Sequence, residues 1–224
     1  MKIKYKLNLG LAAAVIFAAA AINCVRMGFF GSSESVMSEN RRAYIAVVID
    51  DFGGSGEGRE EMFNLPIKFT GAVMPFMENS KTDSARLLAG ENDVLIHLPM
   101  EAKTGKKSWL GERPVLTSMT DDEIKALLED ALAGDYAAGI NNHMGSKAME
   151  DERVMSLIFE ALAEKNLIFI DSMTTADSLG ESCGEKYSVP VIKRDVFLDS
   201  TDSKEKIIEN LEKTKNIALK RGYA

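Results

Sequence analysis

The chain has 224 residues, 46% hydrophobic and 27% charged, which is enough apolar material for a buried core and excludes wholesale disorder. Lys and Arg number 27 against 34 Asp and Glu, a net charge of −7, and this balance argues against a nucleic-acid binder, because phosphate recognition needs clustered basic residues. Cys24 and Cys183 are the only cysteines, one near each end, so a disulfide framework within the domain is excluded.

Lys2, Lys4 and Lys6 precede an apolar run from Leu7 to Val25, interrupted only by Asn8, Gly10 and Asn23. A basic start followed by an apolar stretch is the pattern of an export leader, and the run approaches the length of a membrane-spanning helix. Ala19-Ala20-Ala21 offers a small-residue cleavage site, so residues 1–26 read as a cleaved signal or a retained anchor. Either way the lysines stay cytoplasmic and the rest is expected outside the inner membrane, in the cell envelope, touching the membrane only through this segment. Residues 27–42, with their Ser, Gly and Glu, read as a linker, and residues 43–224 as the folded domain.

Short apolar runs at Tyr44-Ile49, Lys68-Met74, Val94-His97, Ala137-Ile140, Leu167-Ile170 and Val189-Ile192 predict strands of a parallel sheet covered on both faces. Three helices alternate with them. Thr120 and Glu123 form a capping box ahead of a stripe of Ile124, Leu127, Leu128, Ala131 and Leu132. Val154, Leu157, Ile158, Ala161 and Leu162 repeat that stripe, and Ile207, Ile208, Leu211 and Ala218 do so in a last helix that Gly222 would end. Repeated β-then-α units predict an α/β barrel or an open doubly wound sheet.

Both architectures gather ligands at the carboxyl ends of strands, so the residues there carry the functional argument. They are Asp50-Asp51-Phe52-Gly53, His97-Leu98-Pro99-Met100-Glu101, Asn141-Asn142-His143-Met144-Gly145-Ser146, Asp171-Ser172 and Arg194-Asp195. The only two histidines of the chain stand on this rim. Each piece has an ordinary structural reading: the Asp pair as a turn or helix cap, His97 as a hydrogen-bonded strand end, Asn141-Asn142-His143 as a turn, Glu101 and Asp171 as solvated acids. Together, two imidazoles and one carboxylate suffice to hold a catalytic divalent cation, Zn²⁺ above all, with the other carboxylate free as a base.

In order and spacing these motifs, with Thr174-Thr175 after Asp171-Ser172 and Arg194-Asp195-Val196-Phe197-Leu198-Asp199, resemble those of the divergent polysaccharide deacetylases, from about Ala43 to Ala224. The resemblance implies a NodB-like deformed (β/α) barrel and a metal-dependent hydrolase that removes acetyl groups from an envelope glycan. It implies Asp50 as the base and Asp51, His97 and His143 as metal ligands, although the His-x3-His spacing usual in related esterases is absent. Glu101 is implied to orient His97, Arg194 to steady a developing oxyanion where Met173 replaces the family's Arg, and Asn142, Ser146, Asp171 and Ser172 to face substrate. Trp109, in the loop from Ala102 to Ser118, is open to two readings: stacking on a sugar or anchoring its loop. The family continues past the last helix into a closing strand with a His, whereas this sequence stops two residues after Gly222. That departure predicts an open seam, and it keeps a second reading alive, a catalytically impaired envelope protein that binds or scaffolds carbohydrate.

Overall fold

A computed structural model describes residues 42–224 apart from Glu57, Asp135 and Asp202; the leader expected at 1–26, and the linker up to its last residue, lie outside the described residues. The strands β1 (Val48–Phe52), β2 (Thr70–Val73), β3 (Asp93–Met100), β4 (Gly139–Met144), β5 (Ile168–Asp171) and β6 (Val191–Lys193) form one parallel sheet in sequence order. A doubly wound sheet reverses its strand order at a switch point. This sheet never does, which selects the barrel-type winding over the open alternative.

Each crossover carries a helix: α1 (Arg59–Phe63), α2 (Ser80–Ala89), α3 (Asp121–Ala131), α4 (Glu152–Lys165) and α5 (Gly180–Tyr187), with α6 (Lys204–Arg221) after β6. The capping box of α3 forms as the sequence predicts, with the Thr120 side chain accepting from Glu123 N and Glu123 accepting from Thr120 N. Ile124, Leu127 and Leu128 of α3 and Val154, Ile158, Phe159 and Leu162 of α4 are buried against the sheet. Phe159 meets Phe169 of β5 with ring centroids 5.1 Å apart.

Three expectations need correction. The first strand begins at Val48 rather than Tyr44, and β3 and β4 run on to Met100 and Met144, so His97 and His143 lie inside strands. Asn141 and Asn142 mark an end to the fourth strand in the sequence, but backbone pairing continues because they and His97 are themselves buried. The last helix turns differently: Ile208 is 51% and Leu211 45% exposed, while Asn210, Thr214 and Ala218 face inward. The Asn210 amide accounts for this by donating to the carbonyls of Phe197 and Leu198. Finally, the residues after α6 do meet the sheet, at its β1 side, while among the described residues β6 pairs only with β5 and keeps an open outer edge. Beyond the left-handed Gly222 of α6, Ala224 N donates to Tyr44 O, and Tyr44 N and Ala46 N donate to Gly222 O and Ala224 O. Val47 O meanwhile accepts from Thr70 N, so the segment leading into β1 is paired on both edges.

Candidate metal centre

Neighbouring residues in a regular strand point to opposite faces, so Asp50 and Asp51 should diverge. A register break between Ile49 and Phe52, with Asp51 in left-handed backbone at φ 64°, turns both toward one histidine. Asp50 Oδ1 lies 3.7 Å from His97 Nδ1, and Asp51 Oδ1 lies 3.4 Å from His97 Nε2. Asp is among the few residues that tolerate this backbone region. Gly53 completes the turn at φ 103°, where a Cβ would stand 2.8 Å from Met74 O. Its N–H donates to the fully buried Asp83, which also receives Arg59 at 2.8 Å.

The β3–β4 register places His97 opposite Asn141 and Pro99 opposite His143. Asn141 and His143 share one face of β4 by the period of two. Asn141 Nδ2 donates to Asp50 Oδ1 at 2.8 Å, which fixes the amide orientation and turns its oxygen toward His97 Nδ1, 2.9 Å away. His97 is thereby protonated on Nδ1. His143 donates from Nε2 to the Trp109 carbonyl at 2.7 Å, so its proton is also committed away from the cluster.

What remains is three acceptors facing one another. His97 Nε2 and His143 Nδ1 are 3.1 Å apart, and His143 Nδ1 is 3.2 Å from Asp51 Oδ1. Neutral imidazoles in these tautomers supply no proton between them, so the cluster calls for a cation. Without metal a proton fills the role. Burial opposes charge on His143, but Asp51 and the Trp109 carbonyl outweigh it and raise its pKa above the usual histidine value. With that proton, a hydrogen bond from His143, with His97 close by, holds the Asp51 carboxyl well below the usual carboxylate range. Donors about 2.0–2.2 Å from a tetrahedral Zn²⁺ stand roughly 3.3–3.6 Å apart, close to the spacings here, so these residues fit a metal ion. Their ligand atoms all lie within 4.8 Å of one another. His97 is buried and Asp51 68% exposed on its side chain, which leaves the centre open on the Asp51 side.

Glu101 does not orient His97. Its Oε2 accepts from Thr117 N and Oγ1 and its Oε1 from Lys147, which pins the loop after β3 and lowers its pKa to about 2 despite partial desolvation. Asn141 takes the role expected of Glu101. The four residues expected to face substrate are also occupied within the fold. Asn142 binds Met144 O, Thr174 Oγ1 and Ser172 N; Asp171 accepts from Met173 N and Ser178 Oγ; and Ser146 accepts from Lys103 N. Arg194 donates Nε to Ser172 O at 2.8 Å and reaches Met173 O at 3.5 Å, tying β6 to the end of β5. Sequence reasoning overlooked Asn141 as an orienting group, though its place two residues before His143 on a strand was a usable signal. The Trp109 carbonyl left none, being a main-chain atom.

The domain matches the model of the divergent polysaccharide deacetylases over residues 47–224, and the chain belongs to that family. Among its relatives, the uncharacterized protein YibQ of Escherichia coli K12 is 32% identical over 179 residues, covering 80% of this chain and 56% of that protein. An uncharacterized protein of Haemophilus influenzae is 28% identical over 185 residues, covering 80% of this chain and 64% of its own. The chain thus spans less than two thirds of the length of either relative. The crystal structure of an uncharacterized Agrobacterium tumefaciens C58 protein has the same fold, with a TM-score of 0.76 at 20% identity, over 84% of this chain and 78% of that one.

Proposed function

We propose that the domain is a zinc-dependent hydrolase that removes acetyl groups from an envelope glycan outside the inner membrane. The supporting observation is the cluster itself: Asp51, His97 and His143 converge as acceptors without protons, beside a second carboxylate that none of them uses as a ligand. A cation held by these three would polarise an acetyl carbonyl and lower the pKa of water, from 15.7 toward about 7 in favourable sites. The chain's own contribution centres on Asp50. Asn141 holds Asp50 Oδ1, while the carboxyl remains 37% exposed, so it is aimed and still accessible for taking a proton from attacking water. Asn141 also keeps the proton of His97 on Nδ1, and the Trp109 carbonyl keeps that of His143 on Nε2. Both histidines thus stay ligands rather than competing acids.

Metal analysis and acetate release from acetylated glycans test this reading together. Asp51→Ala and His97→Ala should lose stoichiometric metal, whereas Asp50→Asn should keep it and lose about 10²–10⁴-fold in rate. Full metal content in both ligand variants would overturn the assignment. A second reading, carbohydrate binding without turnover, draws on the commitment of Arg194 to the Ser172 and Met173 carbonyls, which takes away the expected oxyanion partner. Glycan binding by metal-loaded protein with no acetate released would favour it.

A further inference from the structure

We propose that the indole of Trp109 is the platform on which a pyranose ring of the glycan stacks, and that the cavity behind its loop takes the next stretch of the sugar chain. This inference rests on the glycan reading of the site above and adds a location for the sugar.

Trp109 has two separate jobs available to its two halves. Its carbonyl is the acceptor that orients His143, so its Cα is fixed beside the metal cluster. Its side chain is 58% exposed, touched by its own loop through Lys106, whose ammonium lies 5.5 Å from the ring centroid, and otherwise open to solvent. The loop has other anchors: Glu101 N donates to Val115 O, Val115 N donates to Pro99 O, and Glu101 grips Thr117. An indole held in water next to a catalytic-type centre is the group that matches the apolar C–H face of a pyranose, since it offers a large flat surface at low entropic cost.

A cavity of about 460 Å³ opens directly beside it, lined by Thr104, Lys106, Leu110, Leu116, Ser118 and Met144. That size falls in the range of about 300–1,000 Å³ typical of small-ligand sites. Leu110 follows Trp109 and Met144 follows His143, so the cavity begins one residue beyond the pair that links loop and cluster. Gly105, at φ 120°, lets the loop pass close to both: a Cβ there would stand 3.0 Å from Met144 Cε and 3.5 Å from the indole. Apolar walls with hydroxyls and an ammonium at intervals suit a sugar chain, whose hydroxyls need partners while its ring faces need contact.

Trp109 is the only tryptophan of the chain, so its emission reports on this spot without background. The metal-loaded protein would be titrated with N-acetylchitopentaose, with solubilised peptidoglycan strands and with acetylated xylan oligomers. At least one should shift emission to the blue and saturate. Trp109→Ala should weaken binding of that glycan about threefold to tenfold by calorimetry, with Trp109→Phe in between, and metal content measured in both variants separates loss of the ring from displacement of the carbonyl that orients His143. If the glycan is turned over, Trp109→Phe, which keeps an aromatic ring in the loop, should raise KM less than Trp109→Ala does. Acetate release without any change in emission, or equal affinity of Trp109→Ala and the parent, would overturn the platform while leaving the hydrolase reading intact. A saturable shift without acetate release would support the platform and count against hydrolysis.

Discussion

The centre of the sheet and its far edge handle polar and apolar groups in opposite ways. At the centre, β3 and β4 pair over six consecutive positions and bury His97, Asn141 and Asn142. No buried side-chain nitrogen or oxygen among the described residues lacks a partner. At the edge, β6 has only three residues, and Ile192, Phe197, Ile208, Leu211 and Leu219 are all about half exposed or more, while α6 turns Asn210 and Thr214 inward. Burial therefore follows hydrogen-bond opportunity as much as hydropathy. A polar residue goes inside where backbone or side-chain groups partner it, and the Asp51, His97 and His143 cluster sits beside such buried polar groups.

Substitutions can break this contrast at graded cost. The largest effect is expected at Phe169, fully buried against Phe159: Phe169→Ala should cost about 3–5 kcal/mol in denaturant unfolding. A loss below 1 kcal/mol would show that the centre is not the packed core described.

Asn141→Ala should come next, because it strips a partner from both His97 and Asp50. Zinc affinity, measured by competition with a chelator, should fall about 10–100-fold, and stability by about 1–3 kcal/mol. Unchanged affinity would mean that the His97 tautomer is set by something other than this amide.

Glu101 gives a pH-resolved test. Its folded pKa of about 2 lies below the ordinary glutamate value of 4.5, so its hydrogen bonds stabilise the fold above about pH 4.5 and the benefit is lost as pH falls toward 2. Its side chain is 23% exposed, and a charge-assisted cluster of this kind contributes about 1–2 kcal/mol after screening. Glu101→Gln should lower the melting temperature at pH 7, and its difference from the parent should shrink across that window. A difference that stays constant down to pH 2 would assign the effect to packing instead.

The smallest effect is expected on α6. Leu211→Ser and Leu219→Ser, at 45% and 61% exposure, should each change stability by no more than about 0.5 kcal/mol. A larger loss would mean that this face is covered in solution.

The sequence by itself determined whatever depends on short-range pattern. The α3 capping box, the stripes of α3 and α4, the alternation of strand and helix, and the Asp51, His97 and His143 trio were legible, because each is written in spacing or in motif order. The tertiary structure decided the rest. Asn141 reaches His97 across 44 residues and Asp50 across 91, and His143 reaches the Trp109 carbonyl across 34. Such partnerships depend on strand register and on main-chain atoms, which leave no trace in residue type. The rotation of α6 was likewise invisible, since the carbonyls of Phe197 and Leu198 that draw Asn210 inward are indistinguishable in sequence from any others. Hydropathy records what a side chain prefers in water, whereas the inward face of α6 follows where Asn210 meets the Phe197 and Leu198 carbonyls.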